Sequence, residues 1–197
     1  VPFTTGIQRV VRETVVRWTR DHDCTLAAWT PGFRSLRALD DAEAARIAAP
    51  PDDYVHPAPG RRFTVLVPHE ATYLLPELAA EPERTEKLRS LARFATARTG
   101  VIGYDCVPIT SAETVSTGVV GFARTLAAVR RFGAVATISQ AAATEYLGWR
   151  DMLAAIGIDG PRIEPVSLPV EIPESSPEEL DAARARFTIP GVPFVLV

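Results

Sequence analysis

Cysteine, histidine and long apolar runs are scarce in this sequence, and each scarcity removes a class of protein. Cys24 and Cys106 are the only cysteines in 197 residues, too few for a disulfide-stapled scaffold. The three histidines lie far apart, so no spacing gathers a metal centre and no metal ligand is read. No apolar stretch approaches the roughly 18 residues of a membrane-spanning helix. Positive charge is also short: 21 Lys and Arg face 24 Asp and Glu, a formal charge of −3. A nucleic-acid-binding face needs concentrated basic charge, so nucleic acid is excluded as a partner. The expected compartment is the cytoplasm, with peripheral attachment to a membrane left open. Neither the G-x-G-x-x-G fingerprint nor the G-x-S-x-G elbow occurs, which argues against a dinucleotide-binding loop and a serine hydrolase.

Hydrophobic residues make up 47% of the chain, enough for one sizeable core. Ile7, Val10, Val11, Thr14, Val15 and Trp18 recur at helical spacing and predict an amphipathic helix over residues 6–22. Short apolar runs at 25–29 and 63–67, bounded by Gly and Pro, have strand length, and an Ala-rich helix is expected near 40–48. Beyond them come a helix at 83–98, a strand ending at Tyr104-Asp105, a helix marked by Val119, Phe122, Leu126 and Val129, a small-residue strand at 134–138, a helix at 140–156 and a strand at 162–167. Helix and strand alternate with room for crossovers. That predicts an α/β fold, a Rossmann-like three-layer sandwich with a mostly parallel sheet covered by helices on both faces. Residues 1–167 form the expected domain, and 168–192 read as a linker and helix. Residues 193–197 read as the first strand of a further domain. With Val at position 1 and no strand before the first helix, the chain reads as a piece of a longer protein.

In an open parallel sheet, ligands bind beyond the carboxyl ends of the strands. Three stretches are candidates expected to share that edge: residues 4–9, 68–70 and 104–108. Gly6 at a helix start, with Gln8 and Arg9 beside it, suits phosphate oxygens through free N–H groups and a forked guanidinium; it equally suits a plain capped surface helix. Asp105 can be a general base, an orienter of a sugar hydroxyl, or a cap for the following loop. His69 and Glu70 form a polar pair able to hold hydroxyls, or a surface pair. Ser139 reads as a helix N-cap more readily than as a nucleophile. Two apparent motifs are set aside: Asp21-His22-Asp23 ends an amphipathic helix instead of following a strand, and Glu171 and Glu179 straddle prolines that keep them off one helix face.

Read in order, residues 5–13 (TGIQRVVRE), 104–109 (YDCVPI), 135–143 (VATISQAAA) and 189–197 (IPGVPFVLV) resemble the N-terminal, acceptor-side half of a family 4 glycosyltransferase with the GT-B fold. The resemblance spans nearly the whole chain. It implies transfer of a sugar from a nucleotide-sugar donor to a carbohydrate or natural-product acceptor, with retention of configuration, no metal ion and no bound cofactor. It also implies a C-terminal domain of the same polypeptide that binds most of the donor, so that this chain alone is nearly inactive. On that basis Gly6, Gln8 and Arg9 approach the donor's phosphates and Ser139 lines the cleft. Asp105 takes the acidic position of the family's His-Asp motif. Tyr104 replaces the histidine, and its phenol can still hydrogen-bond a hydroxyl. The acceptor pocket would come from loops such as 31–60 and 68–82. A nucleotide-sugar epimerase of the same architecture and a non-catalytic α/β binding domain are the alternatives.

Overall fold

A computed structural model describes residues 6–48, 63–114, 118–169, 174–189 and 192. The predicted opening stripe folds as α1 (Gly6–Asp21), which packs on α2 (Asp41–Ala48). Helix α2 starts in a reciprocal cap: the Asp40 carboxylate accepts the Glu43 N–H at 2.8 Å and the Glu43 carboxylate accepts the Asp40 N–H at 3.1 Å. Between the helices, β1 (Ala27–Trp29) turns through Pro31-Gly32, where Gly32 adopts φ 69°, into β2 (Leu36–Ala38). Strand β3 (Val65–Leu66) pairs on the far side of β2, giving a small antiparallel sheet in the order β1-β2-β3.

This corrects the expectation for the runs at 25–29 and 63–67. Both contain strands, but neither joins the parallel sheet. That sheet is built from β4 (Thr72–Leu75), β5 (Arg98–Gly103), β6 (Ala134–Thr137) and β7 (Arg162–Pro165), in chain order and all parallel. Each strand reaches its neighbour through helices: α3 (Pro82–Phe94) after β4, α4 (Val107–Thr110) and α5 (Val119–Val129) after β5, and α6 (Gln140–Ala155) after β6. The fold is therefore α/β and Rossmann-like, with a parallel sheet flanked by helices.

The period-2 burial of the strands places the core. Thr99, Val101 and Gly103 of β5 and Val135 and Thr137 of β6 are buried, while Gly100, Ile102, Ala134 and Ala136 between them are half-buried. Leu75, Val101, Val135 and Ile163 from the strands pack with Leu88 of α3, Phe122, Leu126 and Val129 of α5, and Tyr146 of α6. Each such side chain removed from water stabilises the fold by roughly 1.5–3 kcal/mol. Helices α3 and α5 pack directly on each other, with the Thr125 hydroxyl donating to the Ala79 carbonyl at 2.7 Å.

The chain divides into two compact units, Val1–Ser167 and Leu168–Val197. In the second, α7 (Pro177–Phe187) begins at a capping box: the Ser176 hydroxyl accepts the Glu179 N–H and the Glu179 carboxylate accepts the Ser176 N–H. That contact is what Glu179 does. Its apparent partner Glu171, residues 4 and 5, residues 49–60 of the 31–60 loop and the expected strand at 193–197 lie outside the described residues.

Candidate functional site

The carboxyl edge of the parallel sheet is where the loops after β4, β5 and β6 meet. Strand β5 ends at Gly103, whose carbonyl accepts the Ile138 N–H at 3.0 Å, so the turns at 104–106 and 138–139 are held side by side. Of the residues predicted as a site, Asp105 and Ser139 are brought to this edge. Asp105 is exposed, and one of its carboxylate oxygens accepts the Val107 N–H at 3.2 Å. Its other oxygen has no hydrogen-bond partner among the described residues. Ser139 is half-buried, and its hydroxyl accepts the Ala142 N–H at 3.1 Å, the N-cap role read from sequence.

Tyr104 reaches the same edge but turns inward. It is 5% exposed, and its hydroxyl donates to the Pro76 carbonyl at 2.7 Å. The phenol expected to meet a substrate hydroxyl is thus committed to a bond that ties the loop after β4 to the end of β5. Burial, with the Glu77 carboxylate nearby, pushes its pKa up to about 12.

His69 and Glu70 fall elsewhere. They precede β4, as Thr96 precedes β5, so they stand at the amino ends of the strands, opposite Asp105. His69 Nδ1 shares a hydrogen bond with Thr96 Oγ1 at 2.8 Å, and Glu70 is exposed at a left-handed φ of 49°. The three candidate stretches therefore do not share one edge. Strand β4, hidden in what reads as a variable loop, moves residues 68–70 to the other side. Gly6, Gln8 and Arg9 lie on the exposed start of α1, whose chief neighbour is α2 and not the carboxyl edge. A side chain at Gly6 would meet nothing within 4 Å, so no packing constraint requires glycine there. Asp21, from the discarded D-x-D pattern, is held by the Arg20 guanidinium at 2.7 Å and 2.8 Å.

Two groups at this edge carry no sequence motif. Glu145, on the second turn of α6, accepts the Cys106 N–H at 2.7 Å and lies 3.4 Å from the Thr110 hydroxyl. Arg84, in the first turn of α3, is 8% exposed and ion-paired with Glu77. A cation is unfavourable at the positive end of a helix, and the Glu77 and Glu81 carboxylates offset it. A rule that the first turns of helices in βα units lie at the carboxyl edge would have pointed to Arg84, but not to Glu145 one turn further on. Among the described residues no three His, Cys, Asp or Glu side chains form a group able to hold a metal ion.

No protein-family model, curated protein or solved structure matches this chain. The site is therefore read from its own geometry: an exposed carboxylate on a buried, cross-tied strand end, with a second carboxylate, Glu145, bonded to the N–H of the next residue.

The buried acids around this edge set an alkaline limit. Burial, reinforced by the Glu145 and Asp105 carboxylates, pushes the Cys106 thiol up to about 12. Burial likewise raises Tyr73 to about 12 and lifts Tyr146 higher still. The folded state holds these protons where the unfolded state releases them, above about 9 for the thiol and 10 for the phenols. Their stabilisation is complete below pH 9 and is lost as pH rises toward 12. The thermal midpoint should fall steadily from pH 9 upward, with phenolate absorbance appearing together with unfolding. A midpoint unchanged through pH 11 would contradict this burial.

Proposed function

We propose that this chain is the acceptor-side domain of a retaining glycosyltransferase that uses a nucleotide-sugar donor, with a family 4 enzyme as the pattern. The observation that carries the reading is Asp105: an acidic side chain at the end of a central parallel strand, exposed at the ligand-binding edge of a Rossmann-like sheet. The ordered resemblance of residues 5–13, 104–109 and 135–143 supports it. On this reading Asp105 orients the acceptor hydroxyl, while Ser139 and Glu145 shape the turn that presents it. Gly6, Gln8 and Arg9 meet the donor's phosphates when a C-terminal domain of the same polypeptide delivers them, with no metal or cofactor taking part. Tyr104 then acts as a positioning residue through Pro76, and His69 and Glu70 have no part in the transfer.

In the full-length polypeptide that carries this chain, Asp105→Asn should lower kcat for sugar transfer by about 100-fold, the scale of a lost acid–base or orienting group, and leave the thermal midpoint nearly unchanged. Arg9→Ala should chiefly raise KM for the donor. Wild-type turnover in both variants would reject the site. Epimerised nucleotide sugar without transfer would favour the epimerase alternative, and donor binding without either reaction the non-catalytic one.

A further inference from the structure

Helices α3 and α5 end side by side at the amino edge of the sheet, and Arg89, Arg93, Arg130 and Arg131 line a cleft of about 200 Å³ between them. Among the described residues the one carboxylate paired with this cluster is Glu86, 3.1 Å from Arg89. Compensation of the helix dipoles accounts for Arg93 in the last turn of α3 and Arg130 at the end of α5. It does not account for four guanidinium groups around one cleft on a chain whose net charge is −3.

The cleft continues, through the shared residues Ser90 and Phe94, into an open groove of about 460 Å³. Trp29, Leu36, Leu66, Val67 and Leu91 make the groove mainly apolar, with His69 and Thr96 at its border. Phe94 is 74% and Val67 79% exposed, so both offer apolar surface to a ligand lying in the groove. The volume lies within the range that holds a small organic ligand.

From this juxtaposition we infer that the amino edge binds one anionic lipid molecule, its phosphate held by the arginine cleft and its hydrocarbon chain laid in the groove. Guanidinium groups match phosphate oxygens in a forked geometry. A purely polyanionic partner would leave the groove unused, and a purely apolar one would leave the charges unanswered. The site lies at the edge opposite Asp105, so a lipid bound there leaves the carboxyl edge open. It does not depend on the glycosyltransferase reading.

The test uses the 197-residue chain and dihexanoyl phosphatidic acid below its micelle concentration, with binding followed by amide chemical shifts and calorimetry. Dihexanoyl phosphatidylcholine, inorganic phosphate and a short single-stranded RNA are the comparisons. Phosphatidic acid should bind at least about tenfold more tightly than each of the three, and shifts should centre on the Ser90 and Phe94 amides. Arg130→Ala with Arg131→Ala, and separately Phe94→Ser, should each weaken it about tenfold. Arg131 and Phe94 are exposed and Arg130 is half-buried at the helix end, and the circular dichroism spectrum should stay unchanged in each variant. Equal affinity for phosphatidylcholine, inorganic phosphate or RNA, shifts centred elsewhere, or variants that bind as the parent does would each overturn the assignment.

Discussion

Replacing Glu43 with alanine should destabilise the chain by about 3 kcal/mol, the scale of breaking a buried ion pair from one side. Arg37 is 5% exposed in the middle of β2, and its Nη1 and Nη2 donate to the two Glu43 oxygens at 2.7 Å and 2.8 Å. The same carboxylate accepts the Asp40 N–H that starts α2, so one side chain joins sheet and helix. Removing it takes away the forked partner of a desolvated guanidinium and the helix cap at once. Arg37→Met combined with Glu43→Leu removes both charges and should recover most of the loss, because an apolar pair of similar volume needs no compensation. Urea unfolding of the parent, the single and the double variant measures this. A loss below about 1 kcal/mol for Glu43→Ala would mean the pair behaves as an exposed one does.

The other large effect is expected at Gly103, the last residue of β5. A Cβ there would lie 2.5 Å from Val135 Cγ1 and 3.1 Å from the Tyr146 ring. Val135 is fully buried and Tyr146 is 3% exposed, so neither can move into solvent. Gly103→Ala should therefore cost about 2–3 kcal/mol, toward the upper end of what overpacking a core costs. Adding Val135→Ala removes the obstructing methyl, and the double variant should be less destabilised than the sum of the two singles. Strict additivity would show that the strand end relaxes by another route. Because Gly103 also accepts the Ile138 N–H, Gly103→Ala should disturb the turn carrying Asp105 and lower any activity beyond the loss in stability.

Much of the helical frame is legible in the residues. The stripe of Ile7, Val10, Val15 and Trp18 gives α1, and Ser139 marks the start of α6 because its hydroxyl can satisfy a first-turn N–H group. Two strands were not legible, each for a reason of its own. Strand β2 reads Leu-Arg-Ala and looks polar, because the charge that makes Arg37 buriable sits six residues on, at Glu43. Strand β4 is the four residues Thr-Tyr-Leu-Leu before a proline, too short for periodicity to separate it from a loop. Losing β4 reversed the placement of His69 and Glu70. Parallel or antiparallel pairing is decided by partners far along the chain, so the runs at 25–29 and 63–67 carry no sign of their separate sheet. Of the candidate site, Asp105 was readable because a carboxylate after an apolar strand stands out. The inward turn of Tyr104 was not, since a phenol suits core and cleft equally. The net charge also hid the arginine cluster: Arg89 and Arg93 meet Arg130 and Arg131 only after β5 and α5 intervene.

The unbroken order β4-β5-β6-β7 also bears on how the molecule is made. On a ribosome each of these strands emerges after the neighbour it will join, so the parallel sheet can grow in step with synthesis, adding one strand at a time to an edge already in place. The antiparallel sheet follows the same schedule: β1, β2 and β3 also pair in order of synthesis, and the 26 residues between β2 and β3 fall within the span of 22 to 30 that separates successive parallel strands, so loop closure costs the two assemblies about the same.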